Sequence, residues 1–99
     1  MTATEKKKLN IGLLGFGSMG KTHLYAVRNL PLFYAPLAFE ANVLGVCTTS
    51  MEKSNRVATE YGIPYATDDA DALINHPEID VIDICTPNVF HFDQLKKAL

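Results

Sequence analysis

Three glycines near the N-terminus have the spacing of a phosphate-binding turn. Gly15, Gly17 and Gly20 form the pattern G-x-G-x-x-G, with an apolar run at 9–14 before it and a helical pattern after it. The first glycine permits a tight turn, the second lets a pyrophosphate approach the backbone, and the third lets a helix pack closely on its strand. The helix N-terminus would offer free N–H groups to the phosphates. An ordinary strand-to-helix turn is the alternative, but the flanking strand and helix favour a dinucleotide site.

The elements that must position this turn alternate along the chain. Apolar runs predict strands at 9–14, 42–47, 63–66 and 79–85, and helical patterns occupy 18–30, 51–61, 67–75 and the region from about 88 onward. Pro31 is predicted to end the first helix, and the two prolines within 31–41 predict a loop there. This alternation predicts an α/β fold of the Rossmann type, a doubly wound parallel sheet with strand order 3-2-1-4. Ligand should bind beyond the carboxyl ends of strands one and four, where the strand order reverses.

Composition limits the class of protein. The 99 residues carry a net charge of −2 and are 47% hydrophobic, which indicates one globular domain and excludes a strongly basic surface for nucleic acid. Lys6–Lys8 before an apolar run resembles a secretory signal, but Asn10 and the glycines interrupt that run, and no stretch reaches transmembrane length. We therefore expect a cytoplasmic protein without nucleic-acid or membrane partners, with a polar tail at 1–8 and one domain at 9–99.

The remaining groups with chemical potential are interpreted as structural. Cys47 and Cys85 end predicted strands that flank strand one, which places them about 10 Å apart. That distance is too long for a disulfide, so both are expected to be buried free thiols. No His, Cys and carboxylate group has the spacing of a metal site. His23 is interpreted as a packed, hydrogen-bonded helix residue, although its position could bring it near a cofactor.

Three segments together resemble one enzyme family. The first is residues 15–20, followed by His23, and the second is residues 58–63, leading to Tyr65 and Asp68. The third is residues 79–88, followed by His91; it contains the pattern T-P-N-x-x-H after a predicted strand. From residue 9 to residue 99 the chain resembles the N-terminal domain of the Gfo/Idh/MocA oxidoreductases. The last segment is the most specific part of the resemblance.

The resemblance implies an oxidoreductase that uses NAD(P) and transfers hydride to or from a sugar, a cyclitol or a related hydroxyl or carbonyl compound. It implies that Thr86, Pro87 and Asn88 lie at the pyrophosphate and nicotinamide ribose, with His91 close behind them, although Asn88 also suits a helix N-cap. The family's catalytic Glu-Lys-Pro motif, and an Asp/His pair in its C-terminal α/β domain, would lie beyond Leu99. We therefore expect an incomplete domain, assign no catalytic residue, and expect oligomers to form through the absent domain. The turn residues implied to bind phosphate, through backbone and side chain, are Gly15, Phe16, Gly17, Ser18, Met19 and Gly20.

The residues after strand two bear on the choice between NADP and NAD. An NAD-specific domain has an acidic residue there, whereas this chain has Thr48, Thr49 and Ser50. Their hydroxyls could accept a 2′-phosphate, with Lys53 or Arg56 supplying positive charge, so the prediction leans toward NADP over NAD. Two other interpretations remain open: residues 49–52 also fit a capping box, and the acidic member of that box, Glu52, could instead reach the ribose.

Two other functional classes compete with the oxidoreductase. One is a stand-alone dinucleotide-binding or redox-sensing module without catalysis, which needs only the residues present. The other is a Rossmann-like domain for a different ligand, such as S-adenosylmethionine, against which the Thr-Pro-Asn element argues. The fourth strand, at 79–85, would normally have another strand beside it, and without that neighbour it exposes an apolar edge. We therefore expect these 99 residues to be marginally stable or to self-associate.

Overall fold

One parallel sheet organises the molecule. The computed structural model describes residues 7–34, 39–86 and 91–99. Four strands form a sheet with the order β3-β2-β1-β4, and every pair is parallel. This confirms the predicted fold class and strand order. The elements are β1 Lys7–Leu14, α1 Ser18–Tyr34, β2 Phe39–Cys47, α2 Met51–Tyr61, β3 Tyr65–Thr67, α3 Ala70–Ile74, β4 Val81–Ile84 and α4 His91–Ala98.

The carboxyl ends of the four strands are aligned at one edge. Leu14 at the end of β1 is level with Cys47 on β2 and with Ile84 on β4, and Cys47 is level with Thr67 on β3. The residues that follow each strand therefore meet at this edge, as expected for a parallel sheet.

The sheet has an apolar core on each face. Leu13 and Leu14 are both fully buried but belong to different clusters, because successive strand residues point to opposite faces. Leu13 packs with residues of α1 and α2, including Leu24 and Val57. Leu14 packs with Leu73 of α3. The predicted covering of both faces by helices is thus confirmed. No helix in the described ranges has the length and apolar character of a membrane span.

The region 31–41 differs from its prediction. Helix α1 continues through Pro31 to Tyr34, and β2 already begins at Phe39. The predicted loop is therefore wrong at both ends, and residues 35–38 lie outside the described part of the chain. Proline's fixed φ fits a helix, although Pro31 removes one helical hydrogen bond and its ring crowds the carbonyl of Val27, and α1 continues for three residues beyond it.

Other boundaries shift by one to three residues. β1 begins at Lys7, not at residue 9, because Lys7 and Lys8 pair with the first residues of β2. β3 begins after Pro64, whose ring nitrogen has no hydrogen to donate, and β3 lies at the sheet edge as predicted. β4 covers only Val81–Ile84.

Two helix starts carry side-chain caps. Ser50 caps α2 by accepting a hydrogen bond from the Lys53 N–H (3.0 Å), and Asp69 caps α3 by accepting one from Asp71 (3.0 Å). The capping box over residues 49–52 is therefore wrong: the cap is Ser50, and the residue three positions later is Lys53 and not an acidic residue. The prediction that the acidic pair Asp68 and Asp69 serves a helix N-terminus is confirmed for Asp69, so α3 begins at Ala70 rather than at residue 67.

Candidate dinucleotide-binding site

The glycine turn lies between the ends of β2 and β4. The Gly15 N–H donates to the Cys47 carbonyl oxygen (2.7 Å), and Gly15 has a φ of +94°, a conformation that favours glycine. A Cβ at Gly15 would lie 2.9 Å from the Cys85 carbonyl oxygen. A Cβ at Gly20 would lie 2.8 Å from the Gly15 carbonyl oxygen. The predicted tight turn and close helix packing are both present at these two positions.

The second glycine of the motif faces open space. A Cβ at Gly17 would have no other atom within 4 Å. Helix α1 begins at the next residue, Ser18, and has no acidic residue in its first turn. The first N–H groups of a helix have no partner within the helix. The backbone here thus leaves room for an anion and offers it donors, which fits the phosphates of a dinucleotide.

The side chains of the turn point in different directions. Phe16 is 4% exposed and packs against Tyr61, with the ring centroids 5.2 Å apart. Ser18 is exposed, and Met19 is 58% exposed. The implied contact of the Phe16 side chain with phosphate therefore has little support, because that ring belongs to the core. Only the backbone of Phe16 and the residues after it remain available to a ligand.

A buried hydroxyl network fixes the end of β2. Ser54 on α2 is fully buried; its Oγ accepts from the Thr48 N–H (3.0 Å), contacts Thr48 Oγ1 (2.7 Å) and donates to the Thr67 carbonyl oxygen (2.8 Å). Thr48 Oγ1 also donates to the Ser50 carbonyl oxygen (2.9 Å). Of the three hydroxyl residues predicted to meet the cofactor, Thr48 is thus turned inward and Ser50 caps a helix. Thr49 is exposed.

A crevice joins the ends of all four strands. It has a volume of about 170 Å³ and opens where the strand order reverses. Thr86 lies at its wall, where its Oγ1 donates to Gln94 Oε1 (2.5 Å) and its carbonyl oxygen accepts from His91 Nε2 (2.5 Å). His91 therefore lies beside Thr86 as expected, while Pro87 and Asn88 fall outside the described residues. The crevice is lined by Leu14, Cys47, Thr48, Thr49, Asp68, Ala70, Thr86 and Gln94.

A second cavity beside the glycine turn is rich in cations. It measures about 380 Å³ and lies between the start of α1 and α2. Lys21, Lys53 and Arg56 line it together with one carboxylate, Glu60. Within residues 7–34, 39–86 and 91–99, none of these three cations takes part in an ion pair. The sequence analysis predicted Lys53 and Arg56 as positive charges near the cofactor. Lys21 was not predicted there, because only the packing of α1 beside α2 brings it to the same cavity.

Behind the turn, three polar side chains form a cluster between α1 and β4. His23 Nδ1 lies 2.6 Å from Asp83 Oδ2, and Cys85 Sγ lies 3.3 Å from the same nitrogen and 3.5 Å from Asp83 Oδ1. The interpretation of His23 as a hydrogen-bonded helix residue is confirmed. Asp83 was not singled out from the sequence, although its two-residue spacing from Cys85 was the available signal. Folding brings together residues about 60 positions apart, so the linear spacing from which no metal site was predicted does not record this cluster.

Both thiols are free, as predicted, but only Cys47 is buried, and Cys85 is partly buried. Burial, with the nearby Asp83 carboxylate, raises the pKa of Cys85 from 9.0 to about 12. Burial, with Asp69 and Asp68, raises the pKa of Cys47 from 9.0 to about 11. Both side chains are therefore protonated at neutral pH and are poor nucleophiles.

Comparison with known proteins decides the family. Residues 9–99 match the Gfo/Idh/MocA family model, described as an oxidoreductase family with an NAD-binding Rossmann fold. The chain belongs to the Gfo/Idh/MocA family. Its relatives include levoglucosan dehydrogenase of Pseudarthrobacter phenanthrenivorans, which is 34% identical over 85 residues, or 86% of this chain and 22% of that protein.

Solved structures of family members share the fold. A levoglucosan dehydrogenase in complex with NADH and levoglucosan is 33% identical with a TM-score of 0.88, and the match covers 93% of this chain and 25% of that one. Scyllo-inositol dehydrogenase from Lactobacillus casei, with bound NAD(H) and scyllo-inositol, is 25% identical with a TM-score of 0.72 over 93% of this chain and 25% of that one. The chain thus spans about a quarter of the length of these relatives.

Proposed function

We propose that this chain is the nicotinamide-dinucleotide-binding part of an oxidoreductase. The observation that carries the proposal is the open backbone at Gly17 and the N-terminus of α1, located at the carboxyl edge beside the crevice. Backbone N–H groups there would bind the pyrophosphate, and the crevice wall at Thr86 would orient the cofactor. When bound, the cofactor supplies the hydride acceptor or donor. No residue of this chain is assigned to proton transfer.

For the substrate, we propose a sugar, a cyclitol or a related hydroxyl or carbonyl compound. Two solved structures similar to this chain support this proposal, because one contains levoglucosan and the other scyllo-inositol. Both of these ligands are polyhydroxylated rings. The catalytic lysine motif, the location in the cytoplasm and the assembly through a further domain stay predictions from the sequence.

Substitution of Gly17 by alanine tests the proposal directly. An added Cβ meets no protein atom and Gly17 lacks a positive φ, so the variant should fold with unchanged stability. The methyl group would nevertheless occupy the space proposed for the pyrophosphate. We expect the dissociation constants for NADH and NADPH to rise about tenfold or more, a loss of about 1.4 kcal/mol. Fluorescence titration measures the affinity, and thermal unfolding measures stability.

Three other outcomes would redirect the assignment. Wild-type protein that binds no nicotinamide dinucleotide would overturn the proposal. Displacement of the bound dinucleotide by S-adenosylmethionine at lower concentration would favour that ligand class instead. Dinucleotide binding without turnover of any polyol by the natural polypeptide would favour the stand-alone binding or sensing module.

For cofactor choice, we propose that NADP binds in preference to NAD. Lys21, Lys53 and Arg56 line one cavity beside the turn, and a 2′-phosphate adds negative charge that such cations bind. The relatives with bound NADH leave this choice open, since they are other chains. We expect the double variant Lys53→Met/Arg56→Met to weaken NADPH binding about tenfold while NADH binding is unchanged. Lys96→Met on α4 is the matched control, and tighter binding of NADH than of NADPH by the wild type would reject the preference.

A further inference from the structure

We propose that His23, Asp83 and Cys85 bind a divalent cation of the zinc class. The three side chains offer one nitrogen, one oxygen and one sulfur atom, all within 4.8 Å of one another. The proposal does not depend on dinucleotide binding.

The separations of the donor atoms approach those of a tetrahedral site. Zinc bonds of 2.0–2.3 Å at tetrahedral angles place ligand atoms about 3.3–3.8 Å apart. Cys85 Sγ is 3.3 Å from His23 Nδ1 and 3.5 Å from Asp83 Oδ1, and both separations lie in this range. His23 Nδ1 is hydrogen-bonded at 2.6 Å to the other oxygen of that carboxylate, Oδ2. In a tetrahedral zinc site a nitrogen and an oxygen ligand lie about 3.3–3.5 Å apart, so Nδ1 and Oδ2 must separate by about 0.7–0.9 Å if Oδ2 binds the cation.

Regular structure holds the three donors in position. Asp83 lies on β4, and Cys85 is the first residue after that strand. Both side chains contact the imidazole ring of His23, because strand residues two apart point to the same face of the sheet. The Cys85 N–H donates to the Leu14 carbonyl oxygen (2.7 Å), which keeps its backbone in line with the sheet. His23 lies in the second turn of α1, whose neighbouring residue Leu24 is buried in the core. The donor set is thus preorganised and does not lie on an exposed loop.

The chemistry of the donors selects the class of cation. Imidazole and thiolate are ligands of zinc and its neighbours, whereas magnesium and calcium prefer oxygen donors alone. The side chains of His23 and Asp83 are 37% and 25% exposed, which leaves a route for the ion and a position for a water as fourth ligand. On binding, the Cys85 thiol proton passes to solvent, and a neutral His23 ring coordinates through Nδ1 with its hydrogen on Nε2.

A bound ion would join α1 to β4. These elements carry the two walls of the proposed cofactor site, since α1 follows the glycine turn and β4 leads to Thr86. Because the ion would bind the folded chain and not the dispersed ligands of the unfolded one, it should stabilise the native state.

Cobalt spectroscopy and zinc-dependent unfolding test the site. Metal-free protein titrated with Co²⁺ should gain one equivalent with a thiolate-to-cobalt charge-transfer band, and added Zn²⁺ should remove this band. Zn²⁺ should also raise the melting temperature. We expect Cys85→Ser and His23→Gln to lose the band and at least tenfold in Zn²⁺ affinity. Cys47→Ala changes the other cysteine, and His76→Gln changes a histidine outside the cluster; both should behave like the wild type.

The outcomes separate binding from folding. Far-ultraviolet circular dichroism of each variant without metal establishes whether the variant is folded. If Cys85→Ser or His23→Gln does not fold, Asp83→Asn replaces it as a variant of the cluster. The proposal is overturned by wild-type protein that shows no thiolate band, or by a band and a zinc-dependent melting shift that persist in the folded Cys85→Ser variant.

Discussion

At the residue scale, Gly20 is the glycine of the turn with the clearest packing constraint. Its virtual Cβ would lie 2.8 Å from the Gly15 carbonyl oxygen, a backbone atom that cannot rotate away. We expect Gly20→Ala to lower the free energy of unfolding by about 1–3 kcal/mol, as overpacking in a core does. Urea unfolding measures this loss, with Gly17→Ala as the control that adds the same methyl group to open space. Equal stabilities of the two variants would contradict the close packing.

The raised pKa values of the thiols predict slow and pH-dependent alkylation. Burial and the Asp83 carboxylate raise the pKa of Cys85 to about 12, so few molecules carry a thiolate at pH 8. Asp83→Asn removes the negative charge, lowers the pKa of Cys85 and should speed its reaction with iodoacetamide. Mass spectrometry of the labelled peptides measures both cysteines in one sample. Cys47 is the internal control, because Asp69 and Asp68 are the carboxylates that act on it, and acceleration at Cys47 alone would contradict the assignment.

The same pKa values set the sign of a stability change in alkali. The unfolded chain releases thiol protons near pH 9.0, whereas the folded chain holds them until about pH 11 at Cys47 and about pH 12 at Cys85. Between these values the unfolded state binds fewer protons, so the thiols make the free energy of unfolding fall as the pH rises. Their stabilising effect is fully present below pH 9.

At the element scale, Ser54 joins three structural elements through one buried oxygen atom. Its Oγ contacts Thr48 after β2 and Thr67 at the end of β3, and Ser54 itself lies on α2. Ser54→Ala leaves the Thr48 N–H and the Thr67 carbonyl without this partner. We expect the free energy of unfolding to fall by about 1–3 kcal/mol, the cost of unsatisfied buried groups. Urea unfolding measures the loss, and Thr59→Ala on the exposed part of the same helix should change stability by less than about 0.5 kcal/mol. A loss no larger than that of the control would show that the network contributes little.

Element order was predictable from the sequence, but element ends were less so. The alternation of apolar runs and helical patterns predicts a parallel sheet, and the observed order β3-β2-β1-β4 agrees. Pro31 misled the prediction because a proline disfavours a helix without excluding it: its fixed φ is helical, and α1 continues for three residues beyond Pro31. The cap of α2 was misplaced by one residue, since Thr49 and Ser50 are chemically similar and only the backbone geometry distinguishes them.

At the scale of the whole molecule, one side of the sheet stays open in the described part of the chain. β4 is an edge strand, and Val81 on it is 41% exposed. The neighbouring α4 exposes Phe92 (75%) and Leu95 (52%). Open strand edges with apolar neighbours favour pairing between chains.

We therefore expect the 99-residue chain to self-associate at high concentration. Sedimentation velocity should show a weight-average mass that rises with concentration, and Val81→Lys should reduce this rise because a charge on the edge opposes pairing. Glu40→Gln on β2, an interior strand of the sheet, is the matched control, because it changes the net charge by the same +1. A monomer that melts cooperatively at high concentration would contradict the expectation.

The sequence by itself determined the glycine turn, the parallel α/β sheet and the family, because these depend on local patterns: glycine spacing, apolar periodicity and the segment around Thr86. Tertiary structure alone decided which polar groups meet. Thr48 turns inward to Ser54 on α2, Lys21 joins the cations of that helix, and His23 meets Asp83 across 60 positions of the chain. Such contacts depend on the packing of helices on the sheet, and linear spacing along the chain does not record that packing.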